Sequence, residues 1–289
     1  AIYKKSFGFA DFKNKRPNSE SSRFNIASIS KTFTSVAILQ LKEKGKLNID
    51  DPVKKYLPEF RYPDITIRHL LSHTSGLPDF DLYDDLYDKE PLRIIGNKDV
   101  LPQLMKWKDP LPFEPGEKWG YSNTNYNVLA LIVESVSGRE FSDYLRDNIV
   151  SKAKMKDTYL LEDFPNRRKD PDRVINHRLF RPYSEIPVDA DNKMFQVFNG
   201  MTYRLSSLRG QGNIISTAND LLKYDQSLYS GVLLKQATLD EAFTPTKLNN
   251  GEPAYTFMNL GKNAYGLGWF IFEDESKGTI VWHTGGIPG

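Results

Sequence analysis

The segment Phe24–Gly45 constrains the fold and chemistry of this 289-residue chain more than any other. It opens with a short apolar run, Phe24–Ala27, which is typical of extended chain or a loop entering a core. From Ser28 onward apolar residues recur at helical spacing until Gly45, a residue type that ends helices. The pattern therefore predicts a mostly buried helix beginning at Ser28, with apolar positions at Phe33, Val36, Ala37, Leu39 and Leu41.

Ser28 and Lys31 are about one turn apart in this helix, so they lie on the same face with Cβ atoms about 5–6 Å apart. A serine hydroxyl is a weak nucleophile that needs an adjacent base. A lysine with an ordinary pKa of about 10.4 is protonated at neutral pH, so burial and a second cation would have to lower its pKa. Backbone N–H groups at the helix start could also stabilise an oxyanion.

A second Ser-x-x-Lys sequence occurs at Ser151–Lys154. It precedes Met155 and Lys156 and heads no apolar helix, so we interpret it as a solvated loop. The context of the motif therefore selects Ser28 as the candidate nucleophile.

Composition excludes several kinds of site. The chain has no cysteine, which rules out disulfides, thiolate catalysis and cysteine-ligated zinc. Its formal charge of +2 gives no general reason to expect a nucleic-acid or membrane partner. No apolar run reaches the roughly 18 residues that a membrane-spanning helix needs.

Predicted helices fill the middle of the chain, and predicted strands cluster at both ends. This order predicts a mixed α/β domain made of residues 1–70 and 205–289, with a mainly helical domain inserted over residues 71–204. The acidic segment Asp79–Glu90 is interpreted as a solvated lid or loop, since it lacks the regular ligand spacing of a calcium site. The basic segment Asn166–Pro182 favours a solvated insertion over a polyanion contact.

Two further clusters carry candidate site residues. In Tyr121–Asn123, a tyrosine near a cation can lose or relay a proton, and an asparagine amide can bind a substrate carbonyl or hold the lysine. In His283–Gly286, directly after a predicted strand, the hydroxyl and imidazole could meet a substrate carboxylate, and the glycines would let a substrate backbone approach. Either cluster alone is weak evidence, because such sequences also occur at ordinary turns.

The order of the three motifs, Ser-x-x-Lys, Tyr-x-Asn and His-Thr-Gly, resembles that of the penicillin-recognising serine hydrolases. The tyrosine version is similar to the branch that holds class C β-lactamases, D-alanyl-D-alanine carboxypeptidases, D-aminopeptidases and related esterases. The likeness covers nearly the whole chain, including residues 45–58, 65–77, 210–221 and 265–269. It implies an α/β, β-lactamase-like fold in which helices flank an antiparallel sheet and an α-rich domain is inserted.

The resemblance also implies a serine hydrolase that acts on D-amino-acid peptides or small esters, without metal or cofactor. The implied roles are Ser28 as acylated nucleophile, Lys31 as its hydrogen-bonded partner, Tyr121 as general base or proton relay, Asn123 as a contact of substrate and lysine, His283, Thr284 and Gly285 as the lining of the site, and the N–H groups of Ser28 and Gly286 as the oxyanion hole. The expected partner is a small-molecule or peptide substrate, and the expected location is periplasmic or extracytoplasmic in a bacterium.

Two alternatives stay open beside this interpretation. A non-catalytic or slow-turnover penicillin-binding sensor or scaffold could use the same fold. His69 and His73 stand at the i, i+4 spacing that zinc enzymes use, but no glutamate follows His69 and no third ligand is evident, so a metal site is disfavoured.

Two features depart from the family pattern. His283 stands where class C β-lactamases usually carry lysine, which predicts poor β-lactam hydrolysis. Because an imidazole has a pKa of about 6.5, we expect the KM of a carboxylate-bearing substrate to rise between about pH 6 and pH 8. Gly289 follows the predicted oxyanion strand closely, so we expect an exposed sheet edge and further residues before Ala1 and after Gly289 in the natural protein.

Overall fold

The computed structural model describes residues 3–90, 93–161, 170–174, 177–179, 187–189, 207–258 and 261–286. Over these ranges the chain is mixed α/β, with helices and antiparallel sheets, as predicted. Parts of the basic segment Asn166–Pro182 lie outside the described residues, as do the predicted domain boundary at 204–205 and the last three residues. Among the described residues, no helix is long and apolar enough to cross a bilayer.

The helices lie mainly in the middle of the chain. They are α1 (Ser30–Glu43), α2 (Ile67–Leu71), α3 (Asp84–Lys89), α4 (Asn97–Lys106), α5 (Asn123–Ser137), α6 (Phe141–Leu145), α7 (Ala218–Tyr229) and α8 (Gln236–Ala242). Short 3₁₀ turns cover Ala27–Ile29, Val53–Lys55 and Phe80–Tyr83, and a π-helical turn covers Arg146–Val150.

The strands are β1 (Phe9–Asp11), β2 (Arg16–Pro17), β3 (Phe24–Asn25), β4 (Tyr159–Leu160), β5 (His177–Leu179), β6 (Pro187–Asp189), β7 (Ile214–Ser216), β8 (Tyr255–Met258), β9 (Gly261–Tyr265), β10 (Phe270–Asp274) and β11 (Gly278–Trp282). Strands β8 to β11 form an antiparallel sheet in the order β11-β10-β9-β8, in which Phe270 pairs with Trp282. A second antiparallel sheet has the order β3-β7-β4. Among the described residues, two further antiparallel pairs are β1-β2 and β5-β6.

Helix α1 lies at the centre of the core. Every residue from Ser30 to Leu41 is buried, and the helix packs against α5. Burying one leucine, isoleucine or phenylalanine side chain contributes about 1.5–3 kcal/mol, so the many apolar positions of α1 fix it firmly. The helix ends at Glu43, and Gly45 has a φ of +66°, the left-handed conformation that closes a helix, as predicted.

The start of this helix differs slightly from the prediction, because Ser28 lies in the 3₁₀ turn Ala27–Ile29 that leads into α1. The turn follows strand β3 after one residue, Ile26. The N–H of Ile26 donates to the carbonyl of Ile214 at 2.9 Å, so the pairing of β3 with β7 continues up to the turn. Ala27 has a φ of +46°, which non-glycine residues rarely adopt. Such strain persists only where the surroundings impose it, and here it directly precedes the candidate nucleophile.

The core is continuous across the predicted domain division. Helix α1, from the predicted α/β domain, packs against α5, from the predicted insertion. Strands β4 and β7, which also belong to different predicted domains, pair in one sheet. The division into residues 1–70 with 205–289 and residues 71–204 stays a prediction.

Two segments, Ser151–Lys154 and Asp79–Glu90, were predicted to be solvated, and the structure agrees with only the first prediction. Ser151–Lys154 forms a turn in which Ser151, Lys152 and Lys154 are exposed, which confirms its interpretation as a solvated segment. The interpretation of Asp79–Glu90 as a solvated loop is wrong, because this segment forms a 3₁₀ turn and α3. Its charges suggested solvent, but they alternate with apolar side chains that pack into the core, namely Leu82, Tyr83 and Leu86.

Candidate active site

Ser28 and Lys31 meet at the start of α1. Lys31 Nζ donates a hydrogen bond to Ser28 Oγ at 3.1 Å. Ser28 is half-buried, whereas Lys31 is completely buried. The one-turn spacing thus brings an amine to the hydroxyl from the protein interior and leaves the hydroxyl partly accessible.

Two further acceptors hold the amine in place. Lys31 Nζ donates to Asn123 Oδ1 at 2.7 Å and to the carbonyl of Gln211 at 2.9 Å. Burial lowers the pKa of Lys31 to about 7, and the negative charge of Asp79 opposes this shift. An amine with such a pKa is partly neutral at pH 7, so it can accept a proton where an exposed lysine cannot.

The carbonyl of Gln211 is positioned by the tight loop that precedes β7. Thr34 on α1 donates its hydroxyl to the carbonyl of Gly210 at 2.7 Å. Gly210 has a φ of +91°, and a Cβ at this position would lie 2.1 Å from the carbonyl oxygen of Tyr126 on α5. Only glycine fits there, so the loop lies clamped between the two helices that carry the site.

Tyr121 approaches both Ser28 and Lys31. Its ring centroid lies 4.9 Å from Lys31 Nζ, and its side chain is hydrogen-bonded to Ser28. Burial raises the pKa of Tyr121 above its ordinary value, and the hydrogen bond to Ser28 offsets this only in part. Because the phenol is then protonated at neutral pH, the structure favours a proton relay over an anionic general base.

Asn123 is the first residue of α5 and connects Lys31 to Asp79. Its Oδ1 accepts from Lys31, while its backbone N–H and Nδ2 donate to the Asp79 carboxylate at 2.7 and 3.1 Å. Two roles were predicted for the Asn123 amide: binding a substrate carbonyl and holding Lys31. The observed contacts correspond to the second role. Burial raises the pKa of Asp79, and the hydrogen bonds from Asn123 and the charge of Lys31 oppose that shift.

His73 packs directly against Tyr121 and is completely buried. Its Nδ1 accepts from the backbone N–H of Ser122 at 3.3 Å and lies 3.1 Å from Asn125 Nδ2. Burial and the charge of Lys31 hold the pKa of His73 well below its ordinary value, so the ring is neutral. His69 instead accepts from Thr66 N–H at 3.2 Å in the cap of α2, so the two histidines serve separate local hydrogen bonds.

Sequence reasoning missed the roles of His73 and Asp79 in this site. The sequence pattern marks His73 only as a possible metal ligand and Asp79 only as part of an acidic, solvated segment. Their position in the sequence could have indicated these roles. His73 lies within residues 65–77, which resemble the family, and Asp79 follows that stretch by two residues.

The end of strand β11 closes the site from the other side. Gly285 lies close to Ile26, the residue just before the 3₁₀ turn that contains Ser28. A Cβ at position 285 would lie 2.2 Å from the carbonyl oxygen of Ile26. Thr284, Gly285 and Gly286 are exposed, and open space surrounds the position where a Cβ of Gly286 would lie. This arrangement suits substrate entry beside Ser28, while the lining by Thr284 and the oxyanion hole of Ser28 and Gly286 stay predictions.

His283 differs from its prediction. Its Nδ1 lies 2.6 Å from the carbonyl of Thr284 and its Nε2 lies 3.1 Å from the hydroxyl of Tyr265, so Nδ1–H donates and Nε2 accepts. Burial, together with the charge of Lys31, lowers the pKa of His283 to about 3. The expected titration of this imidazole between about pH 6 and pH 8 is therefore wrong, because the site disfavours a second cation.

Comparison with known proteins places this arrangement in a family. The family model described as Beta-lactamase matches residues 1–289. The chain belongs to the Beta-lactamase family. The resemblance inferred from the three motifs is thereby confirmed.

This Beta-lactamase family chain is 38% identical over 292 residues to Penicillin-binding protein 4* of Bacillus subtilis (strain 168), covering 100% of this chain and 61% of that protein. The chain therefore spans about three fifths of the length of that relative. Two solved structures are similar: a penicillin binding protein from Bacillus halodurans (30% identity, TM-score 0.73, 94% of this chain and 76% of that chain) and a D-stereospecific amidohydrolase from Streptomyces sp. (25% identity, TM-score 0.66, 93% and 76%). These similarities confirm the predicted β-lactamase-like fold.

Proposed function

We propose that this Beta-lactamase family chain is a serine hydrolase that cleaves amide or ester bonds through an acyl-enzyme on Ser28. The observation that carries the proposal is the 3.1 Å contact between Ser28 Oγ and the buried amine of Lys31, whose pKa is lowered to about 7. The family, and the names of the relatives as penicillin-binding proteins and a D-stereospecific amidohydrolase, support hydrolysis of an amide bond.

In the acylation step, Ser28 Oγ bonds to the carbonyl carbon of the substrate while its proton passes to Lys31, directly or through the hydroxyl of Tyr121. The N–H groups of Ser28 and Gly286 stabilise the oxyanion that forms. The bond to the leaving group then breaks, and the proton moves from Lys31 through Tyr121 to the departing nitrogen or oxygen. The acyl group remains on Ser28 as an ester.

Deacylation repeats these transfers with water in place of the serine. Water bonds to the ester carbonyl carbon and gives a proton to Lys31 by way of Tyr121. The bond to Ser28 Oγ then breaks, and Ser28 takes the proton back as the acid product leaves. None of these steps requires a metal or cofactor.

The proposed substrates are amides and peptides of D-amino acids and small esters. Neutral His283 offers no fixed cation to a substrate carboxylate, which disfavours efficient β-lactam hydrolysis. The proposed location is periplasmic or extracytoplasmic in a bacterium, and the Bacillus subtilis relative supports the bacterial part of this proposal.

A second candidate function is slow-turnover penicillin binding, as in a sensor or scaffold. The name of the relative from Bacillus subtilis supports it, since that name describes binding and not hydrolysis. In this case Ser28 would be acylated by the same contacts, but water would release the acyl group slowly.

A substrate panel with a deacylation time course tests the proposal. It compares D-phenylalanine amide, p-nitrophenyl acetate and nitrocefin, and follows a fluorescent penicillin adduct by intact mass. We expect turnover of the amide or the ester and weak turnover of nitrocefin, all lost in Ser28→Ala. A long-lived adduct without turnover of any substrate would overturn the hydrolase proposal in favour of the sensor.

A further inference from the structure

Asp79 lies outside the three motifs and contacts the site through Asn123. Its side chain is half-buried, and its two carboxylate oxygens accept from the backbone N–H and the Nδ2 of Asn123 at 2.7 and 3.1 Å. Both donors belong to one residue, so the carboxylate binds the Asn123 side chain and its backbone together.

These two hydrogen bonds determine the orientation of the Asn123 side-chain amide. With Nδ2 turned towards Asp79, Oδ1 must face Lys31 Nζ, where it accepts at 2.7 Å. The opposite orientation would place an amide oxygen against the Asp79 carboxylate and an amide NH₂ against the Lys31 ammonium, so both contacts would be repulsive. The observed orientation is the one in which each group finds its partner.

We propose that Asp79 is a positioning residue that fixes the orientation of the Asn123 amide and thereby holds Lys31 beside Ser28. The proposal rests on the proposed function only for its consequence in catalysis, because the contacts themselves are independent of any reaction.

The backbone around Asp79 is built to keep its carboxylate in place. Ser122 donates its hydroxyl to the carbonyl of Pro78 at 3.0 Å, and Thr124 donates its hydroxyl to the carbonyl of Asp79 at 3.4 Å. The following turn is anchored in the core by Leu82 and Tyr83. Residues 78–79 are therefore hydrogen-bonded to three successive residues, 122 to 124, at the end of the second motif and the start of α5.

Asp79 also acts on Lys31 through its charge. The groups facing Lys31 are Asp79, the neutral imidazoles of His73 and His283, and the aromatic rings of Tyr121 and Tyr126. Of these, Asp79 carries the negative charge that favours the protonated amine. Removing that charge is therefore expected to move the titration of Lys31 to lower pH.

The test measures the titration of Lys31 directly, by NMR of protein labelled with ¹³C and ¹⁵N at lysine side chains, with the signal assigned through Lys31→Arg. We expect a midpoint of about pH 7 in the wild type and a lower midpoint in Asp79→Asn, by on the order of one pH unit. Asp81→Asn is the matched control, since Asp81 is exposed two residues away and should leave the midpoint unchanged. An equal midpoint in Asp79→Asn and wild type would overturn the proposal.

A second variant keeps the test decisive if Asp79→Asn fails to fold. Asp79→Glu retains the charge but moves the carboxylate by one methylene, so the Lys31 midpoint should stay within one half unit of wild type while acylation by a fluorophosphonate probe slows by on the order of tenfold. Unchanged acylation in a folded Asp79→Glu protein would overturn the positioning role. If the wild type itself is not acylated, the proposed function fails, yet the NMR titration still decides the role of Asp79.

Discussion

The ring of Tyr121 lies against the ring of His73, with centroids 4.3 Å apart and planes inclined by 29°. His73 also accepts from the N–H groups on both sides of Tyr121: its carbonyl accepts from Gly120 at 2.8 Å and its Nδ1 from Ser122 at 3.3 Å. His73 has a φ of +58°, which non-glycine residues adopt only rarely. One buried, strained residue therefore positions the backbone and ring of the proposed proton relay.

We predict that His73→Phe retains the ring contact but lowers kcat by about tenfold. The variant leaves the N–H of Ser122 without its acceptor, and losing one such hydrogen bond costs about 1–1.5 kcal/mol. Steady-state kinetics and thermal unfolding check this. His69→Gln is the control, because His69 lies on α2 just before His73, and the substitution alters the cap of that helix and should leave kcat unchanged. Equal losses of kcat in the two variants would show that His73 acts only through stability.

Tyr121→Phe should lower turnover by about 10²–10⁴, the usual range for loss of a group that transfers protons. The variant keeps the ring against Lys31 and removes only the hydroxyl that is hydrogen-bonded to Ser28. Folding should be little affected, which circular dichroism and thermal unfolding can verify. Turnover near the wild-type value would mean that Lys31 transfers the proton without Tyr121.

The rate of acylation should rise with pH and level off above about pH 7, because burial lowers the pKa of Lys31 to about 7. Below that pH the amine is protonated and cannot accept the proton of Ser28, so the rate should fall about tenfold per pH unit. Stopped-flow measurement of labelling by a fluorophosphonate probe gives this profile. An acylation rate that keeps rising until the pH reaches the ordinary lysine pKa of 10.5 would contradict the argument that burial lowers the pKa of Lys31.

His283 should stay neutral across the physiological range, since burial and Lys31 lower its pKa to about 3. The chain has only 4 histidines, so their NMR titrations can be assigned by substitution. We expect no titration of His283 between pH 5 and pH 8, and parallel pH profiles of KM for wild type and His283→Gln. His283→Lys should lower the KM of a carboxylate-bearing substrate. A His283 midpoint near the ordinary value of 6.5 would contradict this account.

The sequence could predict those parts of the site that depend on local periodicity. Ser28 and Lys31 follow from helical spacing ahead of an apolar stripe, and the solvated Ser151–Lys154 follows from the lack of one. Asp79 could not be found in this way, because its contact with Asn123 joins the residue before the Phe80–Tyr83 turn to the start of α5, and only the tertiary fold brings these together. The pKa of His283 also depends on packing, since its neighbour Tyr265 comes from another strand.

The acidic segment Asp79–Glu90 also shows that the sequence alone does not reveal tertiary packing. Its charges predict solvent exposure, and Asp81, Asp84, Asp85 and Asp88 are indeed exposed. Leu82, Tyr83 and Leu86 nevertheless turn inward and anchor the segment, which places Asp79 in the site. Average polarity did not reveal that one face of a short helical segment is buried.

The central claim is that Ser28 is the residue acylated in this chain, and intact-mass analysis after treatment with a fluorophosphonate probe tests it most directly. Wild type and Ser151→Ala should each gain the mass of one probe, because Ser151 lies in an exposed turn without a buried lysine partner. Ser28→Ala should gain none, and peptide mapping of the wild type should place the adduct on Ser28. A probe adduct on the Ser28→Ala protein, or loss of labelling in Ser151→Ala, would contradict the account.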